Sequence, residues 1–169
     1  MIRLMGAVLA AAGCGWLGLR GAGALREQAR GTWGMAAGLA LLEGELELDA
    51  PPLPRLLERC ARRAEEPAKR FLTRCARGMD RLGEVPFSAV WRQEVEECGG
   101  LSRACRETLL PLGDLLGRRE SRVQAEGVAQ VRRRLEELAG REQEESRRQG
   151  RVLQVLGLSG GAFLVILLL

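Results

Sequence analysis

The chain has 169 residues and a formal net charge of +4, and Lys69 is its only lysine, so arginine carries nearly all the positive charge. It has no histidine and no tyrosine, which removes the commonest general base, the commonest metal-ligating imidazole and the phenolic acid from any mechanism. With three tryptophans and three phenylalanines it is also poor in stacking surface, and its acidic and basic residues interleave, which argues against a nucleic-acid groove.

The first segment, 4–19, reads LMGAVLAAAGCGWLGL between Arg3 and Arg20. As a helix its sixteen residues reach about 24 Å. Flanking arginines and Trp16 can extend that reach to the headgroups, so residues 1–20 are expected to form a retained transmembrane anchor. Ala10–Ala12 as a signal-peptide end, and Cys14 as a lipoprotein acylation site, are the competing readings. One arginine precedes the run whereas Arg20, Arg26 and Arg30 follow it, which favours keeping the following segment in the cytoplasm. Residues 21–49 continue as helix, with Leu25, Ala29, Trp33, Ala36, Ala40 and Leu39, Leu42, Leu46 at helical spacing. Pro51, Pro52 and Pro54 then stop it.

A short amphipathic helix follows over 55–63, burying Leu56, Leu57, Cys60 and Ala61. Pro67 opens the next at its first position, with Phe71, Leu72, Cys75 and Met79 inward and Gly83 as its end. Ser88 is expected to cap a helix carrying Val90, Trp91, Val95 and Cys98. After Gly99-Gly100 a helix runs over 101–117, bent at Pro111 and Gly113. From Glu120 a long helix carries Val123, Val128, Val131, Leu135 and Leu138, fading into a polar stretch at 141–150. The closing run 152–169 is apolar on every face, with Arg147, Arg148 and Arg151 before it, and is expected to be a second anchor. No strand pattern occurs. The expected architecture is all-α: an antiparallel six-helix cytoplasmic bundle over 21–151 between N- and C-terminal transmembrane helices, with both termini across the membrane.

Site chemistry is sparse. The sequence lacks a phosphate-binding loop, a dinucleotide fingerprint and a nucleophile elbow. Cys14, Cys60, Cys75, Cys98 and Cys105 form no C-x-x-C pair, so neither zinc nor a disulfide framework is expected, and small thiols in a reducing compartment are. Adjacent glutamates such as Glu65-Glu66 and Glu96-Glu97 diverge on a helix surface and do not make a carboxylate pair. No catalytic residue, cofactor or metal site is expected. The arginines Arg20, Arg26, Arg30, Arg147, Arg148 and Arg151 would form a basic cluster against anionic lipid.

Taken together, an opening R-L-M-G-A-V, the stretch 41–47 (LLEGELE) before Pro52-Leu53, Gly83-Glu84 followed by Trp91, and 112–117 (LGDLLG) followed by Gln124 resemble the stage III sporulation protein AB family. Leu48, Leu112 and Glu120 depart from that pattern, which more often has an aromatic, Phe and Asp there. The resemblance implies a six-helix cytosolic domain similar to the platform proteins of type II secretion and type IV pilus machines. It implies a mother-cell membrane protein around the forespore that helps build the channel between the two cells. The implied partners are a secretion-type ATPase (the sporulation AA protein) and other channel components, with possible homo-oligomerisation. Glu43, Glu45, Gly83, Glu84, Trp91, Gly113, Gly117 and Gln124 become candidate partner-facing or fold-defining positions, and the end bearing Glu43, Glu45 and Glu47 the expected docking end. A double-anchored adaptor without a sporulation role is the alternative.

Overall fold

The computed structural model describes the backbone of residues 2–48, 51–79, 85–116 and 121–168, and side chains over 23–48, 51–79, 85–116 and 122–152. Among the described residues there are seven α-helices and no strand. They are α1 (Ile2–Leu48), α2 (Leu53–Arg63), α3 (Ala68–Gly78), α4 (Phe87–Glu97), α5 (Arg103–Leu109), α6 (Leu112–Leu116) and α7 (Ser121–Leu168). The chain divides into two compact units, one of residues 28–140 and one of residues 1–27 with 141–169.

Within the first unit α2 packs on α3, α3 on α4, and α4 on both α5 and α6. One continuous apolar core draws on all seven helices, from Met35, Leu39 and Leu42 through Leu56, Leu57, Phe71, Leu72, Trp91, Leu109 and Leu112 to Val128 and Leu135. On α1 the buried arc is Ala29, Thr32, Met35, Ala36, Leu39, Leu42 and Leu46, whereas Trp33 is 44% exposed and Ala40 is exposed. At about 100° per residue, Trp33 and Ala40 sit some 100–120° from Leu39, too far round to reach the core. Thr32 is tolerated inside because its hydroxyl donates to the Gln28 carbonyl at 3.1 Å. On α7 the arc is likewise displaced: Val123 is 41% exposed, and Gln124, Ala125 and Ala139 are buried.

Prolines set the breaks. Pro52 is extended with ψ 139°, and Pro54 lies in the first turn of α2, so that helix starts two residues earlier than its apolar pattern. Pro67, after a cis peptide bond, immediately precedes α3. The expected single bent helix over 101–117 is two helices, because Pro111 has no N–H to give and its ring clashes with the carbonyl one turn back. The Leu110 amide closes α5 on Arg106 O at 3.1 Å, and the Gly113 amide restarts the chain on Leu110 O at 3.3 Å. Ser88 does not cap α4; Pro86 occupies that position and Ser88 lies inside the helix. The side-chain cap belongs instead to Ser102, whose Oγ accepts from the Cys105 amide at 3.1 Å. Helix α3 ends at Gly78, and the expected stop at Gly83 lies outside the described residues.

The helices approach α1 closely because that helix offers a row of glycines. A Cβ on Gly34 would sit 2.5 Å from Pro67 Cδ, and one on Gly38 would sit 2.4 Å from Ala68 Cβ. The α2–α3 corner is therefore seated on α1 backbone. The expected anchors at 1–20 and 152–169 have helical backbone over 2–20 and 152–168; Val152 is exposed, and the other side chains of both segments lie outside the described residues. Among the described residues no helix is long and apolar enough to cross a membrane.

Candidate functional site

Trp91 is the best-organised polar contact in the core. It is fully buried on α4, and its Nε1–H donates to the Leu109 carbonyl at 2.8 Å. Phe71 meets the indole edge-on at 4.7 Å between ring centroids, and Phe87 lies at 5.9 Å. Gly113 on α6 lies directly against it, since a Cβ there would be 3.0 Å from Trp91 Cβ and Cδ1. The break at Pro111 leaves the last carbonyls of α5 without the next turn's amides, and the indole answers one of them. Trp91 and Gly113 are thus brought together inside the core. Gln124 is buried too, and its side-chain amide donates to Leu116 O at 3.1 Å, closing the end of α6 against α7. Gly83, Glu84 and Gly117 lie outside the described residues.

The two glutamates expected to face a partner are already engaged. Glu43 accepts from Arg132 Nε at 2.6 Å, and Arg132 also holds Glu136 at 2.6 Å, tying α1 to α7. Both partners of the Glu43–Arg132 pair are about four-fifths buried, so it is screened less than a surface pair. Glu45 accepts from Arg59 at 3.2 Å and Arg63 at 3.0 Å, tying α1 to α2. A groove of about 600 Å³ opens beside Glu43 between α1 and α7, and Glu47, Glu126, Arg122 and Arg133 are among the residues that line it. That end of the unit is mixed in sign, not acidic as the run Glu43, Glu45, Glu47 suggests.

Two interactions carry no signal in the linear pattern. Arg74 on α3 bridges Glu94, at 2.6 Å, and Glu97 on α4. Burial pushes the Glu94 carboxyl up, and Arg74 opposes that shift; hydrogen bonds from Gln93 and Arg74 hold Glu97 down. The partners lie some twenty residues apart, so only the α3–α4 packing reveals them. Cys60 and Cys75 are buried free thiols, Cys105 is buried and Cys98 is half-buried. Burial, aided by Glu45 and opposed by Arg63, pushes the Cys60 thiol up to about 12. Burial likewise raises Cys75 and Cys98. Reactive thiolates they are not. Among the described residues no cluster of Cys, Asp and Glu could hold a metal ion.

Of the expected basic cluster, Arg26, Arg30, Arg147, Arg148 and Arg151 are exposed, and the Arg20 side chain lies outside the described residues. Arg26 reaches towards α7, its guanidinium 3.5 Å from where a Cβ on Gly150 would sit.

The family model for stage III sporulation protein AB matches residues 3–169, effectively the whole chain. The chain belongs to the stage III sporulation protein AB family. A solved structure of a stage III sporulation protein AB shares its fold, with a TM-score of 0.62 at 19% identity, over 72% of this chain and 97% of that one. No curated protein matches the chain. Of the residues in the resembling motifs, Trp91, Gly113 and Gln124 lie where α4, α5, α6 and α7 meet.

Proposed function

We propose that this chain is a non-enzymatic membrane platform subunit of the secretion-like channel between mother cell and forespore, needed for endospore formation. The observation that carries the reading is the extent of the family match, which runs from residue 3 to residue 169 and so takes in both apolar runs. Both runs have continuous helical backbone where the structure describes them, over 2–20 and 152–168, the form in which a chain satisfies its peptide groups inside hydrocarbon. With the arginine flanks, this supports anchors at 1–20 and 152–169 and a cytoplasm-facing six-helix antiparallel bundle over 21–151, similar to secretion platform domains. The exposed arginines at 26, 30, 147, 148 and 151 suit an anionic lipid surface, where each contributes about 1 kcal/mol. The bundle would then present surface to a secretion-type ATPase and other channel components.

Deletion of the gene tests this. Sporulation should arrest after engulfment and be restored by the full chain but not by one lacking 152–169; normal spores from the deletion strain refute the role. Sidedness needs an exposed probe, because Cys60, Cys75 and Cys105 are buried and Cys98 is half-buried. A Glu137→Cys chain should resist an impermeant maleimide in intact cells and react after lysis; labelling from outside overturns the orientation.

A further inference from the structure

The surplus positive charge of this protein is concentrated in one hairpin. Residues 53–78 hold eight basic side chains and three acidic ones, +5 formally, while the whole chain is +4, so the rest of the chain is −1. Helices α2 and α3 each run 11 residues, about 16 Å, and pack against each other. Their apolar sides (Leu56, Leu57 and Cys60; Phe71, Leu72 and Cys75) are buried, so the basic rows face outward.

Part of this charge is used internally, Arg59 and Arg63 on Glu45 and Arg74 on Glu94 and Glu97. What remains is an outer panel of Arg55, Arg62, Lys69, Arg70 and Arg77. Arg62 and Arg70 meet Glu58 and Glu66 at 3.9 and 3.5 Å, with side chains 75% and 74% exposed, pairs too open to neutralise them. Arg55, Lys69 and Arg77 make no ion pair among the described residues.

We infer that the outer face of the α2–α3 hairpin is a docking surface for an acidic segment of a protein partner. Charge complementarity calls for an anionic occupant, and the sign pattern selects its class. Glu58 and Glu66 sit against the panel's Arg62 and Arg70, where a uniform layer of phosphates, in a bilayer or a nucleic acid, would be repelled by them. A folded partner can set carboxylates opposite the arginines and a cation opposite Glu58 or Glu66, and so read the pattern. The face also offers no aromatic on which a base could stack, because Phe71 is buried. This inference concerns a binding property of the hairpin and stands apart from the channel reading, so either can fail alone.

The test uses the full chain in discs of neutral lipid and a labelled Glu/Ala-rich helical peptide about four turns long, read by fluorescence anisotropy at low salt. The Arg62→Glu, Arg70→Glu pair should weaken binding about tenfold or more. The Arg133→Glu, Arg134→Glu pair on α7, an equal change in net charge, should alter it by less than about twofold. Neutralising Arg55→Gln with Arg77→Gln provides a milder second variant should the reversals unfold the hairpin. Equal loss from the panel and α7 pairs, or no peptide binding at all, overturns the inference. So does tighter binding of an oligonucleotide of equal charge, or loss of peptide binding in discs of anionic lipid, which would assign the panel to phosphates.

Discussion

Replacing Trp91 by Phe should show how strongly the α4–α5–α6 junction depends on one indole. Trp91 is fully buried, so the two ring carbons lost forfeit about 1.5 kcal/mol of burial. The larger effect is the Leu109 carbonyl, which loses the 2.8 Å hydrogen bond at a helix end that Pro111 has already cut. A buried acceptor left unmet costs about 1–3 kcal/mol. Together these give about 2.5–4.5 kcal/mol, against a typical total of about 5–15 kcal/mol. Urea unfolding of the full chain in a non-ionic detergent, followed by far-ultraviolet circular dichroism, measures it. Trp33→Phe is the internal control, since Trp33 is 44% exposed and should shift stability by less than about 0.5 kcal/mol. If the two substitutions cost the same, or Trp91→Phe costs under about 1 kcal/mol, the indole is not the keystone described.

The glycines on α1 should respond with opposite signs in the same assay. Gly38→Ala meets Ala68 Cβ at 2.4 Å and should destabilise by about 1–3 kcal/mol, while Gly44→Ala points into open space and should stabilise by about 0.5–1 kcal/mol. Arg132→Gln leaves Glu43 four-fifths buried without its cation and should cost about 1–3 kcal/mol, with little dependence on salt up to about 0.5 M; Glu45→Gln, losing contacts to exposed arginines, should cost under about 1 kcal/mol. The raised thiols set an alkaline limit. Cys60 is pushed from its ordinary 9.0 to about 12, so the folded state binds that proton more tightly than the unfolded one. Its contribution should be complete below pH 9 and drain away as pH rises towards 12; unfolding of a Cys60→Ala variant across that range should show a smaller loss, since the raised Cys75 and Cys98 thiols remain. At pH 8 the native protein should react with a thiol reagent far more slowly at Cys60 than after unfolding in urea.

Helix content, and the order of the helices, could be read from the chain because prolines and paired glycines punctuate runs whose apolar spacing is helical. The short helices were the clearest: Leu56, Leu57, Cys60 and Ala61 on α2, and Phe71, Leu72 and Cys75 on α3, are buried as their spacing implies. The long helices were less clear. Alanine and glycine are tolerated on any side of α1, so helical spacing admits Trp33 and Ala40 to the apolar series, and only the neighbouring helices turn Thr32 and Met35 inward instead. The family motifs pointed to Trp91, Gly113 and Gln124, but not to what each does, because their partners (Leu109, Leu116 and each other) are set by how α5 and α6 turn back on α4 and α7.

Charge shows the same division. Composition and order alone determine that the chain is arginine-rich, lacks the side chains of common acid–base and metal chemistry, and ends in apolar runs with basic inner flanks, since these follow from residue identity and nearest neighbours. Which charges remain available to a partner is not a local property. Glu43 and Glu45 look free in the sequence, and only tertiary packing delivers Arg132 and the α2 arginines to them. An ion pair is decided by a few ångströms between residues far apart in the chain, and no linear spacing encodes that distance. By the same packing, the α2–α3 hairpin keeps its outer row of arginines exposed.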